Sequence, residues 1–225
     1  NKNLKKIFGE KPVLYLLNKG DLADGKADGF LRLIEDTGRS CVRCNATDGN
    51  AKRAILQKLE KILKEKKERA EAKGLTRTFR FMVAGIPNTG KSTVVNLLGG
   101  QKRAKTGDKA GVTRDVRWIK CGGFDLLDTP GTMPPSFDNQ TLAKHLAYIG
   151  SINDDILDMD DIALELLGEL AEKYPDTLTE RYGITDFSEK LSMYEALCKR
   201  RGFMLRGGEY DYERGAKALI DDFRK

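Results

Sequence analysis

The chain has 225 residues, of which 40% are hydrophobic and 33% charged, with a formal net charge of +6. That leaves room for one large domain or two modest ones around an ordinary globular core. No apolar run reaches the roughly 20 residues of a bilayer-spanning helix. Nor is there a charged, then apolar, then small-residue leader, so membrane insertion and secretion find no support.

Residues 12–17 form a short apolar run that reads as a buried parallel strand. The sequence opens at Asn1 so close to this strand that a missing N-terminal segment is expected. Residues 27–37 have helical spacing, with Phe30, Leu33 and Ile34 on one stripe, and stop at Gly38. Residues 41–44 make a second brief strand. Asp48 can cap the next helix, whose stripe is Ile55, Leu59, Ile62 and Leu63 and which runs into a lysine-rich stretch closed by Gly74. Residues 79–84 read as a strand and residues 91–98 as the start of a helix. Residues 115–121 and 124–128 read as a hairpin turning at Gly122-Gly123. Alternating strands and helices predict an α/β sheet with ligands at the strands' carboxyl ends. After Pro134-Pro135 the pattern becomes helical, and the last helix is expected to bury Tyr212, Ala216, Leu219, Ile220 and Phe223 on one stripe. A domain boundary is placed near Pro135, giving domains 1–135 and 136–225.

Charge is unevenly spread. Residues 52–80 hold 11 basic and 4 acidic residues, and residues 150–225 hold 11 basic and 18 acidic. This fits either an oriented encounter with a polyanion such as RNA or a solvated, lysine-rich helix face. Cys41 and Cys44 have C-x-x-C spacing, but Cys121 and Cys198 stand alone and His145 has no ligand-like neighbour. Reduced, partly buried thiols are expected rather than a zinc site.

Two motifs carry the chemistry. Gly85-Ile86-Pro87-Asn88-Thr89-Gly90-Lys91-Ser92 is a complete G-x-x-x-x-G-K-S phosphate loop set between an apolar strand and a helix. Its backbone N–H groups and the following helix N-terminus should cradle phosphates, with contacts from Asn88 through Thr93. Lys91 should bridge the β- and γ-phosphates, and the Ser92 hydroxyl should ligate Mg²⁺. Asp128-Thr129-Pro130-Gly131 ends a strand as a DxxG element does. Asp128 would hold Mg²⁺ through water, and the Gly131 N–H would sense the γ-phosphate. Thr113 is placed to be the switch threonine that closes the metal shell.

Asn18-Lys19-Gly20-Asp21 reads as the NKxD guanine clamp. A carboxylate at Asp21 accepts from guanine N1–H and the N2 amino group, which adenine cannot supply. Asn18 would tie this loop to the phosphate loop, and the Lys19 stem would lie along the base. Asn45-Ala46-Thr47 fits the fifth element, where a backbone N–H meets guanine O6. The clamp precedes the phosphate loop, the reverse of the Ras order, which points to a circular permutation. The predicted fold is therefore a circularly permuted Ras-like P-loop α/β sheet followed by a small all-α C-terminal domain. Permutation moves the chain ends and leaves the loop cluster intact.

In motif order and loop sequences the chain resembles the permuted GTPases of the YlqF type, the ribosome biogenesis GTPase A family. Further resemblances are Ala104-Lys105-Thr106-Gly107-Asp108, Ile152-Asn153-Asp154-Asp155-Ile156, Tyr174-Pro175, Glu180-Arg181-Tyr182-Gly183, Arg201-Gly202 and Gly207-Gly208. They extend over nearly the whole chain. The resemblance implies GTP binding and hydrolysis to GDP, Mg²⁺, and a cytoplasmic role in late maturation of the large ribosomal subunit. It also implies rRNA docking by the C-terminal helices, no membrane, and a monomer off the ribosome.

The departures are specific. The position after DxxG, Gln in Ras-like enzymes, is Thr132, so intrinsic hydrolysis should be slow. The family's proposed catalytic histidine and first strand belong to an N-terminal segment absent here. His145 does not match that histidine and is expected on the surface or between helices. The fifth element begins with Asn45 where Ser is usual. Asn88 matches an asparagine that helps bind an activating K⁺ in related GTPases, or it simply shapes the loop. A GTP-dependent RNA-binding scaffold with incidental hydrolysis is the competing reading. Roles in tRNA modification or membrane traffic lack a cysteine arrangement, lipidation signal or amphipathic anchor.

Overall fold

The computed structural model of the protein describes residues 9, 11–23, 25, 27–76, 78–100, 116–121, 123–133 and 139–225. Described residues up to Thr132 form one compact unit, and those from Met133 onward form a second.

In the first unit, strands β1 (Leu14–Leu17) and β2 (Ser40–Arg43) pair in parallel, with Leu14 opposite Ser40 and Leu17 opposite Arg43. A parallel pair needs a crossover, and helix α1 (Ala27–Glu35) supplies it. Helix α2 (Gly49–Glu71) starts where the Asp48 side chain accepts the Asn50 N–H, the cap expected from sequence. Strands β3 (Phe79–Val83), β4 (Arg117–Cys121) and β5 (Phe124–Asp128) form a second sheet in the order β3-β5-β4. Within it β3 and β5 run parallel, while β4 and β5 are the antiparallel hairpin partners. Helix α3 (Lys91–Gly99) follows β3 and buries Val94, Val95 and Leu98. These meet Val42, Ala51, Ile55, Ile119 and Leu126 in one apolar core.

One strand and two helices are less buried than their apolar runs suggest. β1 is half-buried along its whole length rather than buried. Phe30 and Leu33 of α1 are 59% and 65% exposed, and only Ala27 of that helix is buried. Helical periodicity locates an apolar stripe, but what covers the stripe depends on its neighbours. In α2 only Ala51, Ile55 and Leu63 are buried, so the lysine-rich end projects into solvent.

The second unit is helical: α4 (Gln140–Tyr148), α5 (Met159–Lys173), α6 (Pro175–Tyr182), α7 (Lys190–Arg201) and α8 (Tyr212–Arg224). Pro175 at the first position of α6 has no N–H to continue α5, so the chain breaks there. Leu166, Leu167, Leu178, Tyr194, Leu197, Leu219 and Ile220 fill the core. His145 lies between helices, its Nε2 3.0 Å from Glu169 Oε2 of α5. Of the stripe expected to be buried, Ala216, Leu219 and Ile220 are buried, Tyr212 is half-buried and Phe223 is 43% exposed. Its neighbour Arg224 turns inward instead, bonding the carbonyls of Ala147 and Tyr148 and clasping Asp154 with two 2.8 Å bonds.

Helices α7 and α8 approach closely because Gly215 has no side chain. A Cβ there would stand 2.6 Å from Cys198 Sγ and 2.9 Å from Tyr194 Cε2, both rigidly buried. Gly168 of α5 differs, since its Cβ would meet only the flexible end of Lys190, with Cε at 2.6 Å. Gly215→Ala should therefore destabilise by roughly 1–3 kcal/mol through overpacking. Gly168→Ala should be neutral or stabilising by up to about 1 kcal/mol through helix propensity. Thermal melts of the two variants should shift in opposite directions or differ by several degrees.

Candidate functional site

The phosphate loop leaves β3 and enters α3 through two left-handed residues, Asn88 (φ 57°) and Gly90 (φ 81°). Gly90 tolerates this freely, and Asn is among the few other residues that do. Successive N–H groups in such a turn face one concavity, which favours an anion. The loop is braced from within, Thr89 Oγ1 donating to Ile86 O at 2.9 Å. Lys91 Nζ donates to the same carbonyl at 2.8 Å, so the lysine is folded over the loop.

Asp128, at the end of β5, is 3% exposed. Its Oδ2 accepts from Ser92 Oγ at 3.3 Å, while its Oδ1 is buried with no hydrogen-bond partner among the described residues. Burial pushes the Asp128 carboxyl up from its usual range, with Ser92 and Lys91 opposing that rise. Burial likewise pushes Lys91 down, with Asp128 opposing it. An orphaned carboxylate oxygen beside a serine hydroxyl is the donor set a hydrated divalent cation uses. Gly131 sits flush on the loop: a Cβ there would be 2.7 Å from the Pro87 backbone. The Thr132 N–H donates to Gly85 O at 3.1 Å, and Thr129 Oγ1 donates to Val83 O at 2.7 Å.

The third loop joins the other two through one side chain. Asn18 Nδ2 donates to Thr89 O at 2.9 Å, and Asn18 Oδ1 accepts from the Ala46 N–H at 2.9 Å. The Asn18 amide even occupies the space a Cβ on Gly90 would need. The expected tie to the phosphate loop is present, and a second tie, to the fifth element, was not foreseen. Within that element it is the Ala46 N–H that is given to Asn18 Oδ1. Asn45 in turn accepts the Thr47 N–H on its own side chain at 2.9 Å.

Lys19 and Asp21 are exposed around the short 3₁₀ turn Gly20–Leu22, with Lys19 in the left-handed region at φ 54°. Thr93 lies half-buried in the first turn of α3. Thr113 falls outside the described residues, as do residues 104–108. Arg43, read from the sequence only as part of a brief strand, bonds Gly20 O at 2.7 Å. The four cysteines are buried, and Cys41 and Cys44 point at different partners, Leu31 O and Asn18 Oδ1.

A carboxyl whose folded-state pKa is raised costs stability as pH climbs through that pKa. Asp128→Asn should therefore gain melting temperature relative to the native protein as pH rises above about 4, the ordinary carboxylate value. A variant that tracks the native protein at every pH would contradict this burial argument.

Comparison with known proteins agrees with this geometry. The family profile described as a 50S ribosome-binding GTPase matches residues 80–186. Ribosome biogenesis GTPase A of Priestia megaterium is 38% identical over 229 residues, covering 100% of this chain and 80% of its own length. The Thermotoga maritima protein of that name is 28% identical over 210 residues, covering 92% of this chain and 70% of its own. A solved GDP-bound structure of TM YlqF is 25% identical, with a TM-score of 0.62 over 96% of this chain and 80% of that one. At this identity over its full length, and with its base loop ahead of its phosphate loop, the chain belongs to the ribosome biogenesis GTPase A family.

Proposed function

We propose that this protein is a GTPase that acts in ribosome assembly, hydrolysing GTP to GDP and phosphate to time its binding to the maturing large subunit. The observation that carries this reading is the Asn18 carboxamide, which gathers the phosphate loop, the NKGD loop and the Asn45–Thr47 turn into one cluster. Asn88 through Thr93 surround the phosphates with backbone N–H groups and the N-terminus of α3. Lys91, released from Ile86 O, reaches the β- and γ-phosphates. Ser92 and Asp128 hold Mg²⁺, joined by Thr113. When bound, that ion neutralises the phosphates and the buried Asp128 charge. The Gly131 N–H senses the γ-phosphate from a position fixed against Pro87. Asp21 accepts from guanine, the Lys19 stem flanks the base, and Asn45 and Ala46 line its far edge. K⁺ near Asn88 is the remaining ion in this reading.

Residues 1–135 form the GTPase domain in this assignment, and residues 136–225 dock on rRNA. Within α2, Lys64 and Arg69 have acidic neighbours one turn away, Glu68 at 4.0 Å and Glu65 at 3.5 Å. Lys66 and Lys67, like Arg53 and Lys61 of the same helix, have no such partner among the described residues, so an RNA contact by this helix would draw on them. No described helix is long and apolar enough to cross a membrane. In this reading the protein acts in the cytoplasm and is a monomer off the ribosome. Thr132, in place of a water-orienting Gln, favours slow intrinsic turnover. The same residue favours a second reading, a GTP-dependent RNA-binding scaffold whose hydrolysis is incidental.

GTP turnover measured in K⁺ buffer should rise strongly with purified large ribosomal subunits and not with small ones. An unchanged rate would leave the scaffold reading in its place. Asp21→Asn should weaken GDP binding at least tenfold, since it loses two charge-assisted hydrogen bonds. It should gain affinity for xanthosine diphosphate, whose O2 can accept from the new amide. Retained GDP selectivity would remove Asp21 from the base site.

A further inference from the structure

The base-reading loop is short, and its reading residue is exposed. Asp21 must nonetheless sit within hydrogen-bond distance of two guanine donors, which requires a rigid loop. Asn18 fixes the loop at its start. Lys19 then takes a left-handed conformation that L-residues adopt at a cost, so something must hold the turn beyond it.

That support comes from the end of β2. The Gly20 N–H donates to Cys44 O at 3.2 Å, and Gly20 O accepts from Arg43 Nη2 at 2.7 Å. The arginine stem lies flat on Gly20, so a Cβ there would be 2.7 Å from Arg43 Cγ and 2.9 Å from Nε. The far side of the guanidinium is held by Asp28 of α1, with Nη1 to Oδ1 at 3.2 Å. One side chain therefore spans from α1 to the peptide immediately before Asp21. Gly20 is the residue that lets it approach.

We propose that Arg43 is a positioning residue for guanine recognition, fixing the Gly20-Asp21 peptide so that the Asp21 carboxylate meets both donors on the base. This rests on the guanine-clamp reading above. Arg43 has no part in holding phosphates, so its removal should act through the base alone. Guanine offers Asp21 two donors, N1–H and the N2 amino group, whereas hypoxanthine offers only N1–H. A misplaced carboxylate therefore costs guanine more than hypoxanthine.

Titration calorimetry with GDP, inosine diphosphate and pyrophosphate tests this on the full chain, alongside melting of the nucleotide-free protein. Arg43→Ala should weaken GDP about tenfold, the worth of one hydrogen bond to a charged group. Inosine diphosphate should lose less, compressing the GDP preference several-fold, and pyrophosphate should bind as before. Arg43→Lys, which can reach Gly20 O but cannot also span to Asp28, should recover part of the preference. If GDP and inosine diphosphate weaken equally, or neither changes, Arg43 is only structural and the proposal fails. Should Arg43→Ala lower the melting temperature, Asp28→Ala decides, because it removes only the outer anchor. A compressed preference there supports the proposal, and an unchanged one overturns it. A native protein that does not prefer GDP over inosine diphosphate would overturn the clamp reading itself, a failure visible before any variant is compared.

Discussion

The Asn18 carboxamide is the interaction on which the rest of the site depends. It stands at the end of β1, donates to the phosphate loop and accepts from the turn after β2. An amide suits this position because it carries a donor and an acceptor on one rigid plane, whereas a carboxylate would only accept and an ammonium would only donate. The distance between the phosphate cradle and the base-reading loop is thereby set by a single planar group. That in turn dictates what length of ligand the cluster can span.

This dependence explains how the chain order can be reversed without loss of the site. Each loop follows a strand, and β1 and β2 pair in parallel, as do β3 and β5. All four of these strands therefore deliver their loops from carboxyl ends, where α/β proteins place ligands. The spacing between loops then follows from strand position and from Asn18, not from chain order. Gly131 adds a contact of another kind. Packed on the Pro87 backbone, it sets the DxxG turn directly against the phosphate loop.

The sequence disclosed these features unequally. The phosphate loop and the hairpin of β4 and β5 were legible because their signals are local: glycines at fixed offsets, and two strand-like runs about a turn. The cap at Asp48 is local in the same sense. Exposure was harder to foresee. Phe30, Leu33 and Phe223 have core-like character and helical spacing, yet periodicity describes one element and burial requires two. Phe223 illustrates the mechanism, since the decision to face outward was made by the polar clasp of Arg224 next to it. Arg43 left no signal at all. A lone arginine in a four-residue strand is unremarkable until the fold lays it against a glycine more than 20 positions away. The tie from the Ala46 N–H to Asn18 has the same origin, because which acceptor an N–H meets is a fact of three dimensions.

The buried, unpartnered oxygen of Asp128 has one more consequence. A group held in an unfavourable state is local frustration, and a cation that relieves it binds the folded chain and not the unfolded one. By mass action, the ligand's free concentration then sets how much of the protein is folded at any moment. The folded fraction of this chain would then track the supply of any ligand that satisfies that oxygen.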